Sequence, residues 1–197
     1  MGGLTTAPAW YLMRGSGVVT LILLTGVVVL GIATSKHTQI GKLPRFATLG
    51  LHRSISLLAV VFLTLHVVTA IVDPYAAVRV VQVVLPLPVG PYPLWLGLGT
   101  LSLDVLAAVI VTSLLRHRLS RRVWKTVHWL AYASWPLAFA HSLGIGTDSS
   151  SAWFLGVALT CAAAVAAAAA WRLAQAGRRA APKYLGAPLG PVEEPAA

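Results

Sequence analysis

Cysteine is all but missing from this sequence, and carboxylates are scarce. The single Cys161 excludes an intrachain disulfide framework, a c-type haem attachment and a cysteine-ligated iron–sulfur cluster. It lies in an Ala-rich run and reads as a small buried apolar residue. Charged residues make up 10% of the chain, against about 25% in a soluble domain. A Gly-rich dinucleotide fingerprint is also lacking. What is abundant is apolar: 57% of 197 residues, in five long uncharged or nearly uncharged stretches. The chain therefore belongs to the membrane class, with room for one helical bundle and no second soluble domain of normal size.

The net charge of +10 does not indicate nucleic acid, because the cations punctuate the apolar stretches instead of forming a surface. The stretches run from Gly15 to about Ala33, Ser54 to Val72, Trp95 to Leu115 (broken only by Asp104), Thr126 to Thr147 and Ser149 to Trp171. Each suits a helix of about 20 residues and is too continuously apolar for a β-barrel strand. The first follows Arg14 but is long and has no clear cleavage site, so it reads as a retained helix.

Thirteen of the fifteen Lys and Arg fall in Thr34–Arg53, Arg116–Lys125 and the tail from Arg172 to Lys183. Arg14 and Arg79 fall on the other side, with Asp73 and Asp148. The positive-inside rule then predicts an all-α membrane bundle of five transmembrane helices, N-terminus outside and C-terminus cytoplasmic, in the cell membrane. The connection Asp73–Leu94 carries Pro86, Pro88, Pro91 and Pro93 and reads as an outer loop with an amphipathic turn. A six-helix variant follows only if that loop is partly inserted. The expected organisation is a short segment 1–14, a transmembrane domain 15–174 and a disordered cytoplasmic tail 175–197.

Ionisable residues inside a membrane are costly, which makes them functional candidates. The second stretch holds His52 and His66, and the fourth holds His128 and His141. Both helices run from inside to outside in this topology. His52 adjoins Arg53 and His128 follows Lys125 by three residues, while His66 and His141 each precede an outer Asp by seven. The four therefore form an inner layer, His52 and His128, and an outer layer, His66 and His141, about 20 Å apart. A lone membrane His often serves as a helix–helix hydrogen-bond partner, but two matched layers on parallel helices weigh against that. Two imidazoles per layer are too few for a structural zinc site and complete for bis-axial haem. The expected cofactors are thus two stacked b-type haems. Full axial ligation leaves no iron position open to substrate, which suits electron relay.

One difficulty is helical phase. Fourteen residues return to within about 40° of the same face, but the 13 from His128 to His141 leave about 140°. Pro136 lies between them and is expected to bend the helix. Arg53 and Lys125 flank the inner layer, placed either to neutralise haem propionates or simply to anchor the topology; Arg53 is carried as a cofactor-binding candidate. Arg118, Arg121 and Arg122 read the same way, or as a surface for an acidic partner. Trp135 lies between the layers, and bundle packing is its commoner role. Asp104 sits mid-helix, as a structural hydrogen bond or part of a proton path. His37 and His117 lie in basic turns and read as surface histidines.

These segments resemble the ferric reductase-like transmembrane domain, the membrane part of NADPH oxidases, ferric reductases and the bacterial cytochrome b subunit of the periplasmic methionine sulfoxide reductase system. The resemblance covers about residues 15–172 and is sharpest in LHRSISLLAVVFLTLH and in LGTLSLDVLAAVIVTSLLRHRLSRRVWKTVHWLAYASWPLAFAHSLGIGTD. It implies that His52 and His128 are axial ligands of an inner haem, and His66 and His141 of an outer one. Larger members have six helices and a cytoplasmic flavin and NAD(P)H domain; five helices and no room for that domain set this chain apart. NAD(P)H oxidation by the chain alone is therefore not expected, and flavin enters only through a partner.

The reading is a di-haem electron conduit from the cytoplasmic side or the quinol pool to an outer acceptor, with a separate donor or acceptor protein. The alternative is the haem subunit of a partnered reductase, such as a methionine sulfoxide or ferric reductase system. An alternative of another class is a non-redox transporter or scaffold, which haem content would distinguish.

Overall fold

The computed structural model describes residues 7–34, 44–74, 76, 78–86, 92–146 and 148–180. Every regular element among them is helical: α1 (Ala7–Ala33), α2 (Arg45–Val72), α3 (Val80–Val84), α4 (Pro93–Leu114), α5 (Arg121–Trp129), α6 (Ala131–Ile145) and α7 (Ala152–Ala180). A chain in hydrocarbon must satisfy its own backbone polar groups, and these apolar stretches do so as helices. Four are long and apolar enough to cross a bilayer: Pro8–Ala33, Phe46–Val72, Pro93–Leu114 and Ala152–Gly177. The molecule is an all-α multi-pass membrane bundle.

Local chemistry explains the helix ends and the tolerated hydroxyls. Pro93 begins α4, where its missing N–H is no loss. Ser120 caps α5 by accepting from the Val123 N–H at 3.3 Å. Inside the spans, Thr20, Thr25 and Thr69 donate to backbone carbonyls one turn earlier, at 2.7, 2.8 and 2.7 Å.

The bundle is built around α1, which packs against α2, α6 and α7, while α4 packs against α6, α5 and α3. Leu21, Leu24, Val28 and Ile32 of α1 form the core with Ala59, Trp135 and Cys161. The Trp135 Nε1–H donates to Thr25 Oγ1 at 2.9 Å, and its ring stacks on Phe139 at 5.1 Å. Trp135 therefore ties α6 to α1, the packing role. Ser102 of α4 donates to the Ser134 carbonyl of α6 at 2.9 Å, a second buried tie.

Several boundaries differ from the sequence expectation. Helix α1 starts at Ala7, so Arg14 lies within it, and α7 continues to Ala180. The connection between α2 and α4 contains α3, five residues long and too short to cross. It lies on α4 through Thr100, which donates to the Gln82 carbonyl at 2.6 Å, while Val80, Val81, Val84 and Leu85 face outward.

The fourth apolar stretch is two helices meeting at Leu130. This junction lies six residues before Pro136, which sits inside α6. Two i to i−3 bonds mark it: Leu130 N–H to Val127 at 2.9 Å and Ala133 N–H to Leu130 at 2.8 Å. Such tightened turns advance about 120° per residue instead of about 100°. The overwinding is in the direction that closes the phase gap between His128 and His141. Pro136 withholds the N–H that the Tyr132 carbonyl would take, so the turn preceding it is the one free to tighten.

Candidate functional site: two histidine pairs

On α2, the residues turned toward the bundle follow one stripe: Thr48, His52, Ile55, Ala59, Phe62, His66 and Thr69. Steps of three and four residues keep both histidines on that face, separated by about 21 Å of rise. The break at Leu130 brings His128 of α5 and His141 of α6 to the same side. The His52 and His128 rings lie 6.5 Å apart between centroids, inclined at 69°. Those of His66 and His141 lie 6.4 Å apart, inclined at 81°. The pairing by layers joins N-terminal with N-terminal and C-terminal with C-terminal, so α2 and α5–α6 run parallel.

Between the two His-bearing helices there is little direct packing. Helix α2 lies along α1, α6 lies along α4, and α2 makes no extended contact with α5 or α6. The paired rings thus meet across a slot whose back wall is α1.

Two glycines make room for these rings, and a third lies against one. A Cβ on Gly17 would come within 2.9 Å of the His66 ring, and one on Gly31 within 3.6 Å of the His52 ring. Gly17 and Gly31 are 14 residues apart on α1, matching the His52–His66 spacing on the antiparallel α2. On α4, a Cβ on Gly99 would meet His141 Nδ1 at 2.5 Å. At Gly17 and Gly99 ring atoms stand where a side chain would otherwise be.

The two layers are not supported alike. In the outer pair, His66 Nδ1 is bonded to the Met13 carbonyl and His141 Nδ1 to the Trp95 carbonyl, each at 2.8 Å. Carbonyls only accept, so both Nδ1 atoms carry the proton, which leaves each Nε2 with a free lone pair. In the inner pair, His52 has the Val27 backbone as a weaker hydrogen-bond partner, while His128 Nδ1 is covered and has none. His128 instead stacks on Trp124 at 5.1 Å and 22°.

Beside the outer pair, Arg14 forms an ion pair with Asp148 and lies over the Trp10 ring at 4.0 Å. That contact fastens α1, one residue beyond Met13, to the segment after α6. Both charges were assigned to the outer end from sequence, and the fold brings them together.

The remaining candidates lie outside the slot. Arg53 and Lys125 are exposed beside the inner pair. Asp104 is exposed on α4, opposite its packed face, with no partner among the described residues. His117 is exposed on the α4–α5 turn, and His37 lies outside the described residues. The described residues contain no group of three or more His, Cys, Asp or Glu able to hold a metal ion. Each layer offers two imidazoles and nothing more.

The ferric reductase like transmembrane component family matches residues 16–139. The chain belongs to that family. The match spans α1, α2, α4, α5 and most of α6, including His52, His66 and His128, and ends two residues before His141. No curated protein and no solved structure matches the chain significantly. Family membership makes this a redox-type membrane domain, the class that the sequence resemblance implied.

Proposed function

We propose that the chain is a di-haem b electron conduit, with His52 and His128 holding the inner iron and His66 and His141 the outer. The observation that carries this reading is the spacing of the two ring pairs. Two metal–imidazole bonds of about 2.0–2.1 Å, with ~1.1 Å from nitrogen to ring centre on each side, require about 6.3 Å between centroids. The pairs measure 6.5 and 6.4 Å. A direct hydrogen bond between the rings of a pair would not need the slot or the glycine clearances beside it.

The residues fit such a group in other respects. His66 and His141 donate Nδ1–H to backbone carbonyls, which fixes the tautomer and leaves Nε2 as the ligating atom. The scarcity of contact between α2 and α5–α6 provides width for a flat ligand. Arg53 and Lys125 stand at the inner layer as counter-charges for propionates. A bound b-type haem supplies a one-electron iron couple, tuned by axial ligands and burial.

In this account α1, α2, α4, α5–α6 together, and α7 make five crossings of the cell membrane, N-terminus outside, as the distribution of cations indicates. The histidine layers then stand about 21 Å apart along the membrane normal. Electrons enter at the inner layer from quinol or a separate cytoplasmic protein and leave at the outer layer to an acceptor or docked reductase partner. Flavin serves only through such a partner.

Vesicles reconstituted with the haem-loaded chain test this directly. Trapped ferricyanide should be reduced by an external quinol or dithionite, with the loss of absorbance near background in His66→Ala vesicles. Equal reduction with and without the wild-type chain would exclude the conduit.

A further inference from the structure

The turn between α4 and α5 holds a feature that electron transfer does not use. Arg116, His117, Leu119, Arg121 and Trp124 line a cavity of about 250 Å³. Arg118, Arg122 and Lys125 add three more cations within the same ten residues. No acidic residue lies in that stretch: Asp104 is three turns away on α4, and Asp73 and Asp148 adjoin the opposite ends of the spans. The ion pair seen among the described residues, Arg14–Asp148, is also at the opposite end. The charge at this turn is therefore unbalanced by the described fold.

We propose that this cavity binds the phosphate of an anionic phospholipid. Its position favours a lipid over a soluble anion. At the end of α4, Val111, Leu114 and Leu115 are apolar and exposed, and the cations begin at Arg116, at headgroup depth. The cavity wall is itself two-sided, with Arg116, His117 and Arg121 for the phosphate and Leu119 and Trp124 for the glycerol and first methylenes. Trp124 also carries a covered Nε1–H without an acceptor, a donor left unmatched beside the cavity.

The site would couple to the histidine slot through one ring. Trp124 stacks on His128, whose Nδ1 has no hydrogen bond to hold its imidazole in place. A lipid seated against the indole would restrain Trp124 and, through it, the His128 ring. Trp124 is then a positioning residue for the inner pair.

Native mass spectrometry of the purified full-length chain, stripped and titrated with phosphatidylglycerol or phosphatidylcholine, tests the binding without reference to haem. One phosphatidylglycerol per chain should be retained with a preference of at least about tenfold over phosphatidylcholine. The exposed pair Arg116→Gln/Arg121→Gln should remove most of that preference. Trp124→Phe, which keeps the ring and deletes the donor, should weaken it less. Equal retention of the two lipids by the wild type would overturn the proposal, as would undiminished selectivity in the double variant. Complete displacement by millimolar inorganic phosphate would assign the site to a soluble anion and overturn it as well. Loss of lipid selectivity with both haems in place would leave the conduit standing, so the two claims fail separately.

Discussion

Replacing His66 or His141 with Ala is expected to remove the outer haem and leave the inner one, taking the chain from two haems to one. The low-spin b-type absorbance per chain should fall by about half, because each haem would have the same pair of strong-field imidazole ligands under the proposed reading. The converse substitutions, His52→Ala and His128→Ala, should spare the outer haem. Its two ligands keep their Met13 and Trp95 carbonyl bonds whatever happens at the other end of the slot. Redox titration of each variant checks this, with one component remaining and a different midpoint for the two classes. Loss of both haems from every variant, with the helices intact by circular dichroism, would show that the layers are not independent sites.

Gly99→Val should reproduce the loss of the outer haem without touching a ligand. Its Cβ alone would stand 2.5 Å from His141 Nδ1, closer than any ordinary contact. The ring must then leave the Trp95 carbonyl, and overpacking of this kind costs about 1–3 kcal/mol. Gly17→Val should act on His66 in the same way, through a Cβ at 2.9 Å. Gly156, on α7, has nothing within 4 Å of its would-be Cβ, so Gly156→Ala serves as the control and should keep both haems. Haem content and melting temperature measured together separate a displaced ligand from a bundle that has simply loosened.

The pairing of the histidines was legible in the sequence because depth in a membrane is fixed by flanking charge and by a constant rise per residue. His52 beside Arg53, and His128 just beyond Lys125, place the inner layer before any coordinates are known. The phase gap between His128 and His141 was legible too, but only as an angle. Thirteen residues state how much the helix must be rewound, not where; the tightened turns at Leu130 supply part of it, upstream of Pro136.

The supports of the outer pair were not legible. Met13 and Trp95 act through backbone carbonyls, which every residue possesses, so no side chain marks them. The glycine clearances did leave a trace: Gly17 and Gly31 repeat the 14-residue spacing of His52 and His66 in the antiparallel sense. A search of α1 for small residues at that interval would have found them. Asp104 shows the opposite limit. Its mid-span position was plain, but the face it occupies depends on how α4 packs against α6, and that face turns out to point away from the slot.

The most direct test of the central claim is the number of haems bound by the purified wild-type chain, counted against its protein concentration, with electron paramagnetic resonance on the same sample. Two haems per chain, both low-spin with bis-imidazole signals, is the predicted result. A haem-free chain, or high-spin iron with an open axial position, would contradict it.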